Sequence, residues 1–154
     1  MRNTDVVAEA RRWIGTPYVH QHRELGFAVD CVGLVIGVGL GAGVLPTWSP
    51  EAWKPHQSYG QAPNPQHMGK AIAEFMNPID RYEGEAPPDG SVAFIGWRSH
   101  LPMHLAIMAT ASDGRRTMIH AYSHVGRVVE HGFAAEWPDR VVSWWAYPGL
   151  SEDS

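Results

Sequence analysis

The spacing of apolar residues predicts a helix at the start of the chain, from about residue 3 to residue 14. One face of this helix carries Val6, Val7, Ala10, Trp13 and Ile14. Apolar residues three and four positions apart are typical of a helix that packs on a core. Asn3 or Thr4 can cap its start, and Gly15 is placed to end it.

A second helix is predicted from Cys31 to about Leu40, with Asp30 as its N-cap. The segment is apolar throughout, and glycine recurs at every fourth position, at Gly33, Gly37 and Gly41. Each glycine lowers helix propensity by roughly 1 kcal/mol. Because that loss must be compensated by packing, we expect the glycine face to lie against another backbone, which we expect to be that of a sheet.

The second half of the chain has the alternation and turn residues of strands. The predicted strands are Ser91–Gly96, Met103–Thr110, Arg116–Tyr122, Arg127–Glu130 and Arg140–Tyr147, with a turn at residues 112–114. Helices followed by an antiparallel meander predict an α+β fold, in which N-terminal helices pack on a five- to six-stranded antiparallel sheet. Between the halves, residues 45–65 show no period and predict a long surface excursion, followed by a short helix at about 66–75.

Composition narrows the function classes. The chain has 154 residues and 44% hydrophobic content, which is enough for a single domain with its own core over residues 1–154. A net charge of −4 and the absence of a basic block argue against nucleic acid as a partner. The chain shows no signal-peptide pattern and no apolar run long enough to span a membrane. We therefore expect synthesis in the cytoplasm without a signal peptide, and no stable membrane insertion.

Cys31 is the only cysteine and stands at a predicted helix start. The helix dipole and the free N–H groups of the first turn favour a thiolate there. The negative charge of the neighbouring Asp30 opposes thiolate formation. Alternatively, the Asp30 side chain points to the substrate and binds a cationic group there. His104 and His120 lie in adjacent predicted strands, and a turn near residues 112–113 places them close to opposite each other.

These residues supply the parts of a thiol-dependent amide hydrolase. The thiolate of Cys31 attacks a carbonyl carbon, the imidazole of His104 moves the proton, and His120 holds that imidazole in the required tautomer. The backbone N–H of Cys31 and the hydroxyl of Tyr18 can meet the developing oxyanion. Such chemistry needs no cofactor.

Several blocks, in order along nearly the whole chain, resemble those of the NlpC-type cell-wall peptidases, papain-like cysteine peptidases of bacterial peptidoglycan. The blocks are Trp13–Tyr18, Asp30–Leu34, Asp89–Phe94, His104–Met108 and Ile119–Ala121. The resemblance implies cleavage of stem peptides, commonly between D-glutamate and diaminopimelate. It assigns Cys31 as nucleophile, His104 as base and His120 as orienting residue, with Tyr18 in the oxyanion region and Asp30 binding the substrate amine.

The chain departs from the family pattern in two places. The spacing from His104 to His120 is longer than usual, through extra residues at 111–115, and we interpret the excess as a longer hairpin turn. The usual Pro-Gly-Asp before the first strand of the sheet is Pro88-Asp89-Gly90 here.

The closing segment resembles the phage-tail branch of this family, including its versions in gene transfer agents. The similarity lies in residues 128–133, Trp137, Arg140 and Tyr147–Gly149. It implies tail-tip or baseplate hub proteins as partners and location in a phage or gene transfer agent particle. A tail would deliver such a domain to the periplasm of the recipient cell.

Alternatives remain at this point. The protein could be a structural or docking component of a tail, with a retained peptidase fold and little activity, docking through residues 45–65. It could also use its thiol for acyl transfer or amidase chemistry. His20 and His22 could bind zinc, touch substrate or belong to a polar loop; with no His-Glu-x-x-His motif, we predict no metal site. Five other histidines are expected at the surface: His56, His67, His100, His124 and His131.

Overall fold

The computed structural model describes residues 3–19, 22–45, 72–79, 87–96 and 102–150. Two helices of at least ten residues, α1 (Asn3–Arg12) and α2 (Cys31–Gly41), come from the first part of the chain. The strands are β1 (Arg23–Glu24), β2 (Ala28–Val29), β3 (Asn77–Ile79), β4 (Val92–Gly96), β5 (Pro102–Thr110), β6 (Arg116–Tyr122), β7 (Arg127–Gly132) and β8 (Val141–Ala146). A 3-10 helix, Pro138–Arg140, leads into β8.

Six of the strands form one antiparallel sheet in the order β3-β8-β4-β5-β6-β7. The run β4-β5-β6-β7 is a meander, and β8 then returns to pair with the free side of β4. The short strand β3, which the sequence did not predict, adds to the edge of β8. The α+β prediction of N-terminal helices on a five- to six-stranded antiparallel sheet is confirmed.

The two faces of the sheet are covered by different parts of the chain. On one face, α1 and α2 pack on side chains that include Leu105, Ile107 and Ile119. On the other face, the segment between β7 and β8 covers Ala106, Met108 and Met118 through Trp137. His104 and His120 share the parity of this second set, so they belong to the face that Trp137 covers.

The glycine face of α2 packs on α1, on Trp13 just after it, and on the segment before β1. The expected approach to another backbone occurs at Gly33, where an added Cβ would overlap the His22 carbonyl oxygen, but the six-stranded sheet is not the partner of this face. A Cβ atom at Gly37 would lie 2.5 Å from Cζ2 of Trp13, and one at Gly41 would overlap the carboxylate of Glu9. The apolar character of α2 on all sides explains the difference. Since α1 and α2 both contact the sheet and also contact each other, the branched residues of α2 such as Leu34 fill the core, while its glycines let α1 approach.

The predicted boundaries differ from the structure mainly at the ends of elements. Helix α1 ends at Arg12, and Ile14, predicted for its buried face, is 43% exposed because the chain has already turned toward Gly15, whose φ is 92°. Of the predicted short helix, residues 72–75 are described and are helical. Residues 46–71, and with them most of the predicted excursion, lie outside the described residues. No helix in the described part of the chain is long and apolar enough to cross a membrane.

Candidate active site

Cys31 is the first residue of α2, and the residue before it caps the helix. Asp30 has an extended backbone (φ −111°, ψ −176°), and its side chain accepts the Gly33 N–H at 2.7 Å. Both Asp30 and Cys31 are buried. The N-cap prediction for Asp30 is confirmed, and the bond to Gly33 turns one carboxylate oxygen toward the helix.

The thiol of Cys31 lies where strands β5 and β6 separate. The two strands pair only from Ile107 opposite Ile119 toward their turn, although β5 begins at Pro102. The backbone N–H of Met108 points to the β4 side of the strand and donates to the Ser91 carbonyl at 2.9 Å. Because backbone groups alternate in direction along a strand, the N–H groups of the odd-numbered residues of β5 point toward β6. The backbone N–H of Leu105 lies close enough to the sulfur of Cys31 to favour its thiolate and so to lower its pKa. The thiol therefore occupies the gap, one residue along the backbone from His104.

His104 and His120 meet across this gap. Nε2 of His104 lies 2.7 Å from Nδ1 of His120, and the ring centroids are 4.9 Å apart. Continuing the observed β5–β6 register places Tyr122 opposite His104, so the two histidines are diagonal neighbours, close to opposite each other as predicted. The turn is centred on residue 113, within the predicted 112–113, whereas a directly opposite pair would need a centre at residue 112. The two imidazoles still form a hydrogen bond because diagonal partners lie within reach of long side chains.

His120 is surrounded by aromatic rings. Tyr122 stacks on it with centroids 4.8 Å apart, and Trp137 meets it edge-on at 5.3 Å. Its second nitrogen, Nε2, lies 2.8 Å from Nε2 of His131. The sequence prediction placed His131 at the surface, whereas the structure brings its half-buried ring to His120. The register of β6 and β7 could have located it, because His131 pairs with Met118 on the same face as His120.

Burial keeps the catalytic candidates uncharged. It raises the pKa of the Cys31 thiol to about 12, with the neighbouring Asp30 charge adding to the effect and backbone N–H groups opposing it. Burial likewise lowers the pKa of His104 to about 4 and that of His120 to about 2, with repulsion from neighbouring histidines contributing to both. The expected thiolate at the helix start is therefore not the resting form. Desolvation outweighs the favourable first-turn N–H groups, and the site holds a thiol beside neutral imidazoles.

Tyr18 belongs to the same site. Its backbone N–H donates to the Gly126 carbonyl at 2.8 Å, and it forms a bridge with Val29, two residues before Cys31. Burial raises the pKa of Tyr18, and negative charge at Cys31 or Asp30 raises it further. The phenol therefore keeps its proton and can donate a hydrogen bond near the thiol.

The histidines in the described part of the chain do not gather as metal ligands. No group of three or more His, Cys, Asp or Glu residues there has the arrangement of a metal site. His120 uses its two ring nitrogens toward two different imidazoles. His22 is exposed and His124 is exposed as predicted. His20, His56, His67 and His100 lie outside the described residues.

Comparison with solved structures places this fold among known ones. No protein-family model and no curated protein matches the sequence. A protein described as similar to lipoprotein, NLP/P60 family, from Staphylococcus aureus subsp. aureus Mu50 superposes with a TM-score of 0.58 at 18% identity, over 97% of this chain and 42% of that one. The NlpC/p60 domain of the peptidoglycan hydrolase SagA superposes with a TM-score of 0.50 at 20% identity, over 95% of this chain and 98% of that one.

The chain thus spans less than half of the first of these proteins and nearly the whole of the second domain. Both matches cover the helices and the sheet that carry Cys31, His104 and His120. The protein has the α+β, papain-like fold of the NlpC/P60 structures.

Proposed function

We propose that the protein is a peptidoglycan endopeptidase that cleaves an amide bond in stem peptides with Cys31 as nucleophile, His104 as general base and His120 as orienting residue. The observation that carries the proposal is the hydrogen bond between His104 and His120, beside the gap in which the Leu105 N–H lies near the thiol. The likeness to a peptidoglycan hydrolase domain supports the choice of substrate class.

The acylation step follows from the neutral resting state. As the sulfur of Cys31 attacks the carbonyl carbon, the thiol proton passes to Nδ1 of His104, and the carbonyl electron pair moves onto oxygen. The N–H of Cys31 and the hydroxyl of Tyr18 donate to this oxyanion. When the carbonyl re-forms, the C–N bond breaks, the amine leaves with the proton from His104, and a thioester remains on Cys31.

Deacylation uses the same groups in reverse. A water molecule gives one proton to His104 and attacks the thioester carbonyl; collapse breaks the C–S bond, and the sulfur recovers the proton. Since His104 starts neutral and ends neutral, no external proton donor is needed. His120 accepts the Nε2–H of His104 throughout, which stabilises the imidazolium present between the two proton transfers.

The finer assignments of the proposal rest on the resemblance of the sequence. The bond cleaved is that between D-glutamate and diaminopimelate, and Asp30 helps to bind the free amine of the substrate. The similarity of residues 128–149 to the phage-tail branch supports carriage on a phage-like tail tip, in contact with baseplate hub proteins. The enzyme would then act in the periplasm of the recipient cell.

The test is mass spectrometry of the muropeptides that the protein releases from purified sacculi. The wild type should release fragments cut at the D-glutamyl–diaminopimelate bond, whereas Cys31→Ala and His104→Gln should release none while keeping the wild-type circular dichroism spectrum. Arg115→Gln, at the exposed β5–β6 turn, is the matched control and should cleave normally. Cleavage by Cys31→Ala would refute the mechanism, and fragments cut elsewhere would refute the bond.

A second candidate, a tail component with little activity, is favoured by the burial that holds the Cys31 thiol neutral. The two functions predict different behaviour of assembled particles that carry the Cys31→Ala variant. If particles carrying Cys31→Ala penetrate the envelope as well as wild-type particles do, the structural function is supported. If penetration is lost and returns when an external endopeptidase is added, the peptidase function is supported.

A further inference from the structure

The described residues contain a line of three imidazoles that ends on a backbone carbonyl. Nε2 of His104 lies 2.7 Å from Nδ1 of His120, and Nε2 of His120 lies 2.8 Å from Nε2 of His131. Nδ1 of His131 lies 3.0 Å from the carbonyl oxygen of Gly132. Each contact is within the range of an N–H hydrogen bond, so each requires one donor and one acceptor.

The carbonyl at the end of the line determines the position of each proton. The Gly132 oxygen can only accept, so Nδ1 of His131 carries hydrogen. A neutral imidazole has one N–H, which leaves Nε2 of His131 as an acceptor. His120 must then donate from Nε2, and its Nδ1 becomes the acceptor for His104.

The last step reaches the proposed base. His104 donates from Nε2, so its Nδ1 carries the lone pair that general-base catalysis requires. In the reversed set of tautomers, Nδ1 of His131 would carry no hydrogen. Its lone pair would then face a lone pair of the Gly132 oxygen, and the two would repel each other. His104 and His120 are buried and uncharged, so neither of them relaxes this requirement by carrying two protons. The order of tautomers is therefore the one that a neutral His131 sets.

We propose that His131 is a positioning residue, which fixes the tautomer of His104 through His120 from the Gly132 carbonyl. The inference rests on the proposed function in its assignment of His104 as base. Trp137 supports the arrangement, since it contacts both His120 at 5.3 Å and His131 at 5.4 Å between ring centroids. When His104 gains the thiol proton at Nδ1, the rest of the line keeps its protons in place, so the ion forms without rearrangement.

The direct test is two-bond ¹H–¹⁵N NMR of the histidine rings in the uniformly labelled wild-type protein at pH 7. His104 and His120 should carry Nε2–H and His131 should carry Nδ1–H, with the signals assigned by single His→Gln variants. A His104 ring with Nδ1–H, or an averaged mixture of tautomers, would overturn the proposal. The tautomers are read from the wild-type protein, so the measurement does not depend on activity.

Variants of His131 test the consequence for catalysis on a peptide that contains the D-glutamyl–diaminopimelate bond. His131→Leu removes the acceptor, so kcat should fall roughly tenfold or more while KM changes less than about twofold. That fall is a part of the roughly 10²–10⁴-fold that general acid–base catalysis supplies. His131→Gln offers an amide oxygen near the position of Nε2 and should recover most of that loss. Equal kcat in the Leu and Gln variants would contradict the positioning role.

The failures of the two proposals are distinguishable. If the wild type shows the predicted tautomers but Cys31→Ala still cleaves, the peptidase mechanism fails and the histidine line stands. If Cys31→Ala is inactive but His104 carries Nδ1–H, the histidine line fails and the peptidase stands. Arg115→Leu, an exposed turn substitution of similar polarity change, is the control for kcat.

Discussion

At the residue scale, the Cys31 thiol and the His104 imidazole are both uncharged at rest, although a thiolate would be the stronger nucleophile. Burial raises the pKa of Cys31 and lowers that of His104, so both effects oppose a thiolate–imidazolium pair. The proton must move as the substrate carbonyl is attacked, when the developing oxyanion offsets the new positive charge on His104. The nearby backbone N–H groups of Leu105 and of the first turn of α2 favour the thiolate and so partly counteract the effect of desolvation on the pKa of Cys31.

The first prediction concerns the pH dependence of kcat/KM. The base must be neutral, and burial lowers the pKa of His104 from 6.5 to about 4. Protonation of the base therefore begins only well below pH 6.5, and kcat/KM should stay level between pH 7 and pH 5 and fall toward pH 4. The measurement is the initial rate of peptide cleavage under low-substrate conditions, with circular dichroism at each pH to establish that the protein is folded. An acid limb near pH 6.5 would show that His104 is not desolvated in this way.

At the element scale, α2 positions the nucleophile, and its packing on α1 depends on glycine. Gly37 lies against the buried ring of Trp13, and Gly41 lies against Glu9. This close approach sets the position of α2 against α1 and the sheet, and the first residue of α2 reaches the gap between β5 and β6. The strand register contributes as much as the helix, because the gap exists only where β5 and β6 stop pairing.

The second prediction tests this packing with Gly37→Ala. The new Cβ would lie 2.5 Å from the Trp13 ring. Overpacking of a core costs about 1–3 kcal/mol, and the gain of about 1 kcal/mol in helix propensity offsets part of it. We expect a net loss of about 1 kcal/mol in the free energy of unfolding, measured by urea denaturation. Gly132→Ala is the control, since nothing lies within 4 Å of its added Cβ. A more stable Gly37→Ala protein would contradict the close approach.

At the scale of the whole molecule, polar contacts between distant residues join the helices to the sheet. Arg11 at the end of α1 donates to Glu130 of β7 at 2.9 Å and to the Thr110 carbonyl of β5 at 2.9 Å. The Tyr147 hydroxyl, just after β8, donates to the Val35 carbonyl of α2 at 2.5 Å. These contacts link the first helices to the last strands, so the gap that holds Cys31 depends on both ends of the described chain.

The third prediction concerns the acid sensitivity of the fold. The pKa of His104 is lowered to about 4 and that of His120 to about 2, whereas both are near 6.5 in the unfolded chain. Below pH 6.5 the unfolded state therefore binds more protons than the folded state, and the free energy of unfolding falls as pH falls. Each histidine contributes a slope of up to about 1.4 kcal/mol per pH unit.

The measurement is urea denaturation at several pH values between 7 and 4.5. A His120→Asn variant should show a shallower fall in stability than the wild type, because one buried imidazole has been removed. His22→Gln, at an exposed position, is the matched control. An unchanged slope in the His120 variant would show that this imidazole is not held neutral by the fold.

Much of the local structure was predictable from the sequence. Strand β6 has the predicted bounds, and α2 begins at Cys31 with Asp30 as its cap, because turn residues, capping and apolar alternation act over a few neighbouring residues. The order of the elements, helices before an antiparallel meander, was enough to predict the α+β class. The turn between β5 and β6 was also predicted to within one residue.

Long-range contacts were harder to predict. The diagonal pairing of His104 and His120 follows from a turn centred on residue 113, whereas a directly opposite pair needs a centre at 112. The predicted centre near 112–113 does not distinguish these two arrangements. The partner of the glycine face was wrong because a helix that is apolar on all sides does not show which neighbour each side meets. The edge strand β3 is stabilised by its pairing with β8 rather than by its own short sequence.

The sequence by itself determined that a lone cysteine begins a capped helix and that two histidines lie on neighbouring strands, since caps and alternation are properties of adjacent residues. Only the tertiary structure decided that the thiol and imidazoles are neutral, because desolvation depends on everything packed around them. The tertiary structure also brought His131 to His120, through a strand register set by the whole sheet. Helix caps, strands and the candidate nucleophile and base can therefore be predicted from neighbouring residues in the sequence. The charge state of these groups and the position of each proton depend on burial and on contacts between distant residues.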